Sequence, residues 1–155
     1  MEARLRELGL TLPEPATPAF NYVPVVVWHD VAYVSGQLPR VAGGLSATGK
    51  LGETVSVEEG REAARLCVLQ GLAVLRQALG SLDRIDRILK VTGFVASAPT
   101  FFDQPKVVDA ASELLIQLFG EAGRHARSAV GALALPRNTP VEIEFVVALR
   151  GAAVR

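Results

Sequence analysis

Cysteine and histidine are nearly missing from this chain: Cys67 stands alone, and His29 and His125 lie in opposite halves. A lone thiol excludes an internal disulfide, and no Cys/His metal centre can be assembled, although a carboxylate site for a hard cation stays open. Aromatic residues make up 6% of the chain, and sixteen Lys+Arg against sixteen Asp+Glu leave no net charge. Phosphate backbones and anionic membranes therefore exert no bulk attraction, which argues against a nucleic-acid partner. Long apolar runs are absent too. The longest, Tyr22 to Trp28, contains Pro24 and falls far short of the ~20 residues a bilayer requires. The first residues, MEARLRELGLTLPEP, alternate charge with Leu and lack the basic start and apolar block of an export signal, so a cytoplasmic protein without a membrane partner is expected.

What is present is hydrophobicity without a membrane. The 155 residues are 50% hydrophobic with a mean hydropathy of +0.31, enough for one domain and rich for a monomer of that size. Apolar surface buried beyond a private core is the implication. Residues 1–20 read as a short helix, with Leu5 and Leu8 on one side, and a proline-spaced lead-in from Pro13 to Pro18; both are expected to be appended to a single domain over 21–155. Val25–Trp28 and Val31–Ser35 predict a β-hairpin. Gly36 to Gly52 reads as a long connection. Ser56 with Glu59 forms a capping box opening a helix whose apolar positions run from Ala64 to Leu79 before Gly80 stops it. Ile88–Ser97 is a predicted strand, residues 103–119 a second amphipathic helix, and 127–135 and 141–149 two more extended runs. Trp28 and Phe94 are expected in the core. This order predicts a split α+β fold of ferredoxin-like kind, a mixed sheet with two helices on one face. In the last strand Val141, Ile143, Phe145, Val147 and Leu149 should lie under the helices, leaving Glu142 and Glu144 on a face that another subunit can cover.

Few residues offer chemistry on pattern alone. Ser35-Gly36 lacks the G-x-S-x-G of a nucleophile elbow, and Cys67 sits within the apolar stripe of a helix, as a structural thiol does. The glycines from 36 to 52 match neither a phosphate loop nor a dinucleotide fingerprint. Arg127 is better placed, where the chain leaves a helix and enters a strand, and its guanidinium can grip a carboxylate with parallel hydrogen bonds. Glu142 opens what reads as the neighbouring strand. His125 reads as a helix-end partner. Without further context, a surface Arg–Glu pair is the plainer reading.

Tyr33-Val-Ser35-Gly36-Gln37-Leu-Pro39, Ala126-Arg127-Ser128, Leu135-Pro136 and Val141-Glu142-Ile143-Glu144 together resemble the successive signatures of the Rid/YjgF family, from about residue 21 to 149. The resemblance implies a chorismate-mutase-like fold assembled as a homotrimer with clefts between subunits. It also implies hydrolytic deamination of reactive 2-imino and 2-enamino acids to 2-keto acids and ammonia, with no metal or organic cofactor. In that resemblance Arg127 binds the substrate carboxylate and Glu142 orients water, while Tyr22, Ser35 and Gly36 line the cleft. Ala129 stands where many members carry Cys, and Asp109 where deaminases often place Asn. An added carboxylate repels a bound one unless it is protonated or turned away, so an altered substrate is expected. A non-catalytic trimer binding small carboxylate metabolites is the alternative. The first 20 residues and the loop from Gly36 to Gly52 have no counterpart in the short deaminases and are placed to reshape or cover the cleft.

Overall fold

Alternation of apolar residues along Val141–Leu149 is the feature around which the molecule is organised. This strand, β7, lies at the centre of a five-stranded sheet and buries Val141, Ile143, Phe145, Val147 and Leu149 on one side. The computed structural model describes residues 1–151. Its elements run α1 (Glu2–Glu7), β1 (Val25–Trp28), β2 (Val31–Gln37), β3 (Arg40–Val41), β4 (Gly44–Leu45), α2 (Val57–Leu79), β5 (Ile85–Ala96), α3 (Gln104–Phe119), β6 (Ala126–Ala132) and β7, with short 3-10 turns between. The main sheet has the order β1-β2-β7-β5-β6, antiparallel except for the parallel β5–β6 pair joined through α3. β3 and β4 pair only with each other, so the expected long connection contains a small ladder of its own.

The best-marked helix starts as the sequence demands. Ser56 Oγ accepts the Glu59 N–H, the Glu59 carboxylate accepts the Ser56 N–H at 2.8 Å, and Gly80 ends α2 at φ 80°, a left-handed conformation that costs glycine no Cβ clash. Both long helices pack on the same sheet face. Gly71 of α2 meets the ring of Phe145, and Gly93 of β5 lies directly beneath Val108 of α3, so helix and strand approach more closely than side chains on both would allow. Cys67 of α2 is fully buried, with Sγ 3.7 Å from the Val141 carbonyl oxygen, and burial pushes its thiol well above its ordinary pKa.

Three expectations need correction. Residues 1–20 are not merely appended, because Leu5 and Leu12 enter the same hydrophobic core, the terminal ammonium pairs with Asp83, and Arg4 donates to the Gln117 carbonyl. Trp28 is not in the core. It is 68% exposed on the edge strand β1, its ring edge-on to His29 at 4.8 Å, and Phe94 is only half-buried on the face away from the helices. Finally, β6 and β7 are not neighbours, since β5 lies between them.

Candidate functional site

Strand alternation puts Glu142 on the sheet face that carries no helix, together with Glu144. The Glu142 carboxyl is half-buried, and among the described residues it has no ion-pair or hydrogen-bond partner. Burial raises its pKa above the ordinary glutamate value, and the neighbouring Glu144 carboxylate raises it further. Oε1 of Glu142 lies against Gly36, where a Cβ would overlap it. Glycine at position 36 is therefore a requirement of space, and any side chain there would drive the carboxyl from its place.

Tyr22, Gly36 and Glu142 line one cavity of about 260 Å³, closed on its apolar side by Pro18, Phe20 and Pro24. That size suits a small metabolite. The proline-spaced lead-in thus forms a wall of the site, because Ala16 to Phe20 borders the same cavity as Gly36 and Gln37 at the end of β2. Ser35 borders a neighbouring hollow on the same sheet face with Glu144, Lys90 and Thr92, and its carbonyl and hydroxyl oxygens accept from Gln37 Nε2 at 3.0 and 3.2 Å.

Arg127 lies on the other side of the sheet. On the edge strand β6 it faces α3, where Nη1 donates to Asp109 Oδ1 at 2.9 Å and to Ser112 Oγ at 3.0 Å. Ala129, two residues along the same strand face, packs against the core edge. Ser112 in turn meets His125 Nε2 at 3.0 Å, while His125 Nδ1 lies 2.6 Å from the Gly123 carbonyl oxygen. A carbonyl accepts only, so Nδ1 carries the proton and neutral Nε2 accepts from the Ser112 hydroxyl, leaving the Ser112 lone pairs for Arg127. Burial lowers the pKa of His125 and the Arg127 charge reinforces it, both favouring the neutral ring this relay needs, while the Gly123 carbonyl opposes them. Among the described residues, Nε and Nη2 of Arg127 have no partner, so one edge of the guanidinium is open to a ligand.

The chain therefore carries two separate clusters, Tyr22–Gly36–Glu142 on the open sheet face and Asp109–Arg127–Ala129 at the α3 edge, with the sheet between them. Sequence reasoning missed Ser112, Arg40 and Arg137. Ser112 was accessible in principle, lying one helical turn from Asp109 on α3. Among the described residues no three His, Cys, Asp or Glu side chains converge as a metal site, and no helix is long and apolar enough to cross a membrane.

Residues 2–148 match the family model described as "YjgF/chorismate_mutase-like, putative endoribonuclease". Protein TCP17 of Trypanosoma cruzi is 46% identical over 148 residues, covering 95% of this chain and 92% of that protein. Among solved structures, the protein Atu1372 of unknown function from Agrobacterium tumefaciens is 46% identical with a TM-score of 0.89, covering 96% of this chain and 92% of that one. A Shewanella oneidensis MR-1 protein named a putative endoribonuclease is 38% identical with a TM-score of 0.92, covering 96% of this chain and 98% of its own. With sheet order, helix placement and the matched span in agreement, the chain belongs to the YjgF/chorismate-mutase-like family, as its Rid/YjgF signatures imply.

Proposed function

We propose that this protein is a hydrolytic deaminase of reactive 2-imino and 2-enamino acids, working in clefts between the subunits of a homotrimer. The observation that carries the reading is the unpartnered, half-buried Glu142 carboxylate in a metabolite-sized cavity, matched by a guanidinium at the α3 edge with free donors. A head-to-tail ring sets the β6 edge of one copy against the open sheet face of the next, so that the two half-sites complete each other. Val26, Tyr33 and Val130, each at least 43% exposed, give that face the apolar surface such a contact buries.

In this cleft Arg127 receives the substrate carboxylate on Nε and Nη2, which fixes the C=N carbon near Glu142. Glu142 takes a proton from water as the oxygen adds to the iminium carbon. The resulting carbinolamine receives that proton on nitrogen; as the C–N bond breaks, the Glu142 carboxylate takes the hydroxyl proton, which passes to the departing ammonia, so that ammonium and a 2-keto acid leave. A base with a raised pKa is more basic than an ordinary glutamate, so the acid limb of the rate profile should lie above the usual glutamate range. Generating 2-iminobutyrate with an amino-acid oxidase and following its loss tests the reading: clear acceleration by purified protein is expected, and none would overturn it. Because Asp109 already holds one nitrogen of Arg127, a carboxylate binder without turnover is the second reading; stabilisation by 2-keto acids with no imine hydrolysis would favour it.

Glu142 also links the site to stability. Folding raises its pKa, so its stabilising contribution is fully present below the unfolded-state value near 4.5 and is lost as pH rises through the higher folded value. At neutral pH the ionised carboxylate weakens the fold. Glu142→Gln is therefore expected to abolish hydrolysis while raising Tm at pH 7 by no more than about 2 °C, since the group keeps part of its solvation. Melting curves should show that gain shrinking as the buffer is taken below the ordinary carboxylate range.

A further inference from the structure

Two arginines border the Glu142 cavity without a part in the chemistry above. Arg40 begins β3 just after Pro39, and Arg137 lies in the turn between β6 and β7; both line the cavity together with Pro18 and Phe20. Most other arginines among the described residues are in ion pairs: Arg4 holds Glu7, Arg61 and Arg65 share Glu113, Arg76 meets Glu2, Arg124 holds Glu121, Arg127 holds Asp109 and Arg150 meets Asp86. Among the described residues neither Arg40 nor Arg137 has a carboxylate within ion-pair distance. Two unpaired cations against the single carboxylate of Glu142 leave the cavity with a net positive lining.

Arg137 is held there at a cost. Its backbone sits at φ 57°, ψ 22°, followed by Asn138 at φ 58°, and the turn is pinned by the Gly49 N–H donating to the Asn138 carbonyl at 2.9 Å. Left-handed backbone at a long side chain is strained, and glycine would occupy it without a Cβ penalty. An unpaired arginine kept in strained backbone beside a cavity, where its side chain contributes no ion pair to the fold, marks a ligand contact.

We propose that Arg40 and Arg137 form a distal anion subsite, so that the cleft takes 2-imino and 2-oxo acids bearing a second carboxylate, the class produced when acidic amino acids are oxidised. This rests on the assignment above of the first carboxylate to Arg127. A dicarboxylate spans the cleft with one acid group on each guanidinium pole and its reactive carbon beside Glu142. A monocarboxylate leaves the Arg40–Arg137 end unfilled.

Calorimetric titration of the purified native assembly with 2-oxoglutarate and with 2-oxobutyrate tests this directly. The diacid should bind about tenfold more tightly, the scale of one charge-assisted contact. Arg137→Gly and Arg40→Gln should each collapse that ratio toward one. Arg137→Gly should do so with no fall in Tm, which a purely structural role for the side chain would not allow. Equal affinities in the native protein, a ratio unmoved by both substitutions, or no binding of either acid would overturn the subsite. The imine assay separates the two readings: 2-iminobutyrate turnover without diacid preference removes only the subsite, whereas diacid preference without turnover of either imine class removes only hydrolysis.

Discussion

Arg127→Ala is expected to lower kcat/KM for 2-iminobutyrate by at least about a hundredfold, because a substrate with no anchor for its carboxylate seldom presents its C=N carbon to Glu142. The side chain is tied to α3 by Asp109 and Ser112 rather than swinging free in water, so its remaining donors are pre-aimed. The fold should barely notice the change: a partly exposed ion pair is worth about 0–1 kcal/mol, and Asp109 can turn to solvent once the guanidinium is gone. Steady-state kinetics beside a melting curve check both halves of the expectation. A variant that hydrolyses the imine at the native rate would remove Arg127 from the reaction altogether.

Gly93→Val should have the opposite signature, a large loss of stability. A Cβ on Gly93 would run into both methyls and the Cβ of Val108, a β-branched side chain with little rotameric freedom, in a fully buried position between β5 and α3. Overpacking of this kind costs typically about 1–3 kcal/mol, and the valine methyls put this substitution at the upper end. For a chain of this size that corresponds to a fall in Tm of roughly 6–12 °C, measurable by calorimetry. Val108 precedes Asp109, so pushing α3 outward also moves the residue that holds Arg127. The surviving folded fraction should consequently bind 2-keto acids more weakly. If Gly93→Val melts within a degree of the native protein, α3 does not pack as described.

Much of this architecture could be read from residue order. Ser56, Glu59 and Gly80 carry their own local geometry, so both ends of α2 were legible, and the strict alternation of Val141–Leu149 announced which face of β7 meets the helices. What could not be read were the consequences of strand order and distance. Arg127 and Glu142 share a stretch of sequence joined by one turn, yet β5 inserts between their strands and their side chains leave opposite faces of the sheet. No local periodicity encodes that insertion. Trp28 has the size of a core residue, but on the edge strand β1 it alternates onto the same helix-free face as Val26 and Tyr33, so its ring stays in solvent. The lead-in was legible as non-helical from its prolines, and its role as a cavity wall appears only once the end of β2 lines the same cavity. Arg137 was silent because a left-handed backbone at arginine contradicts its own propensity, and such contradictions tend to sit where a protein does something with the strain.

Cys67 gives the molecule an internal reporter. The sulfur lies under β7 and stays protonated at ordinary pH, so a thiol reagent in solution meets it only when α2 lifts away from the sheet. With a single thiol in the chain, the rate of its chemical trapping is a clock for opening of the interior, free of interference from any other sulfhydryl. The same seclusion makes the native chain a clean background on which one engineered surface thiol would be the sole point of attachment for a probe.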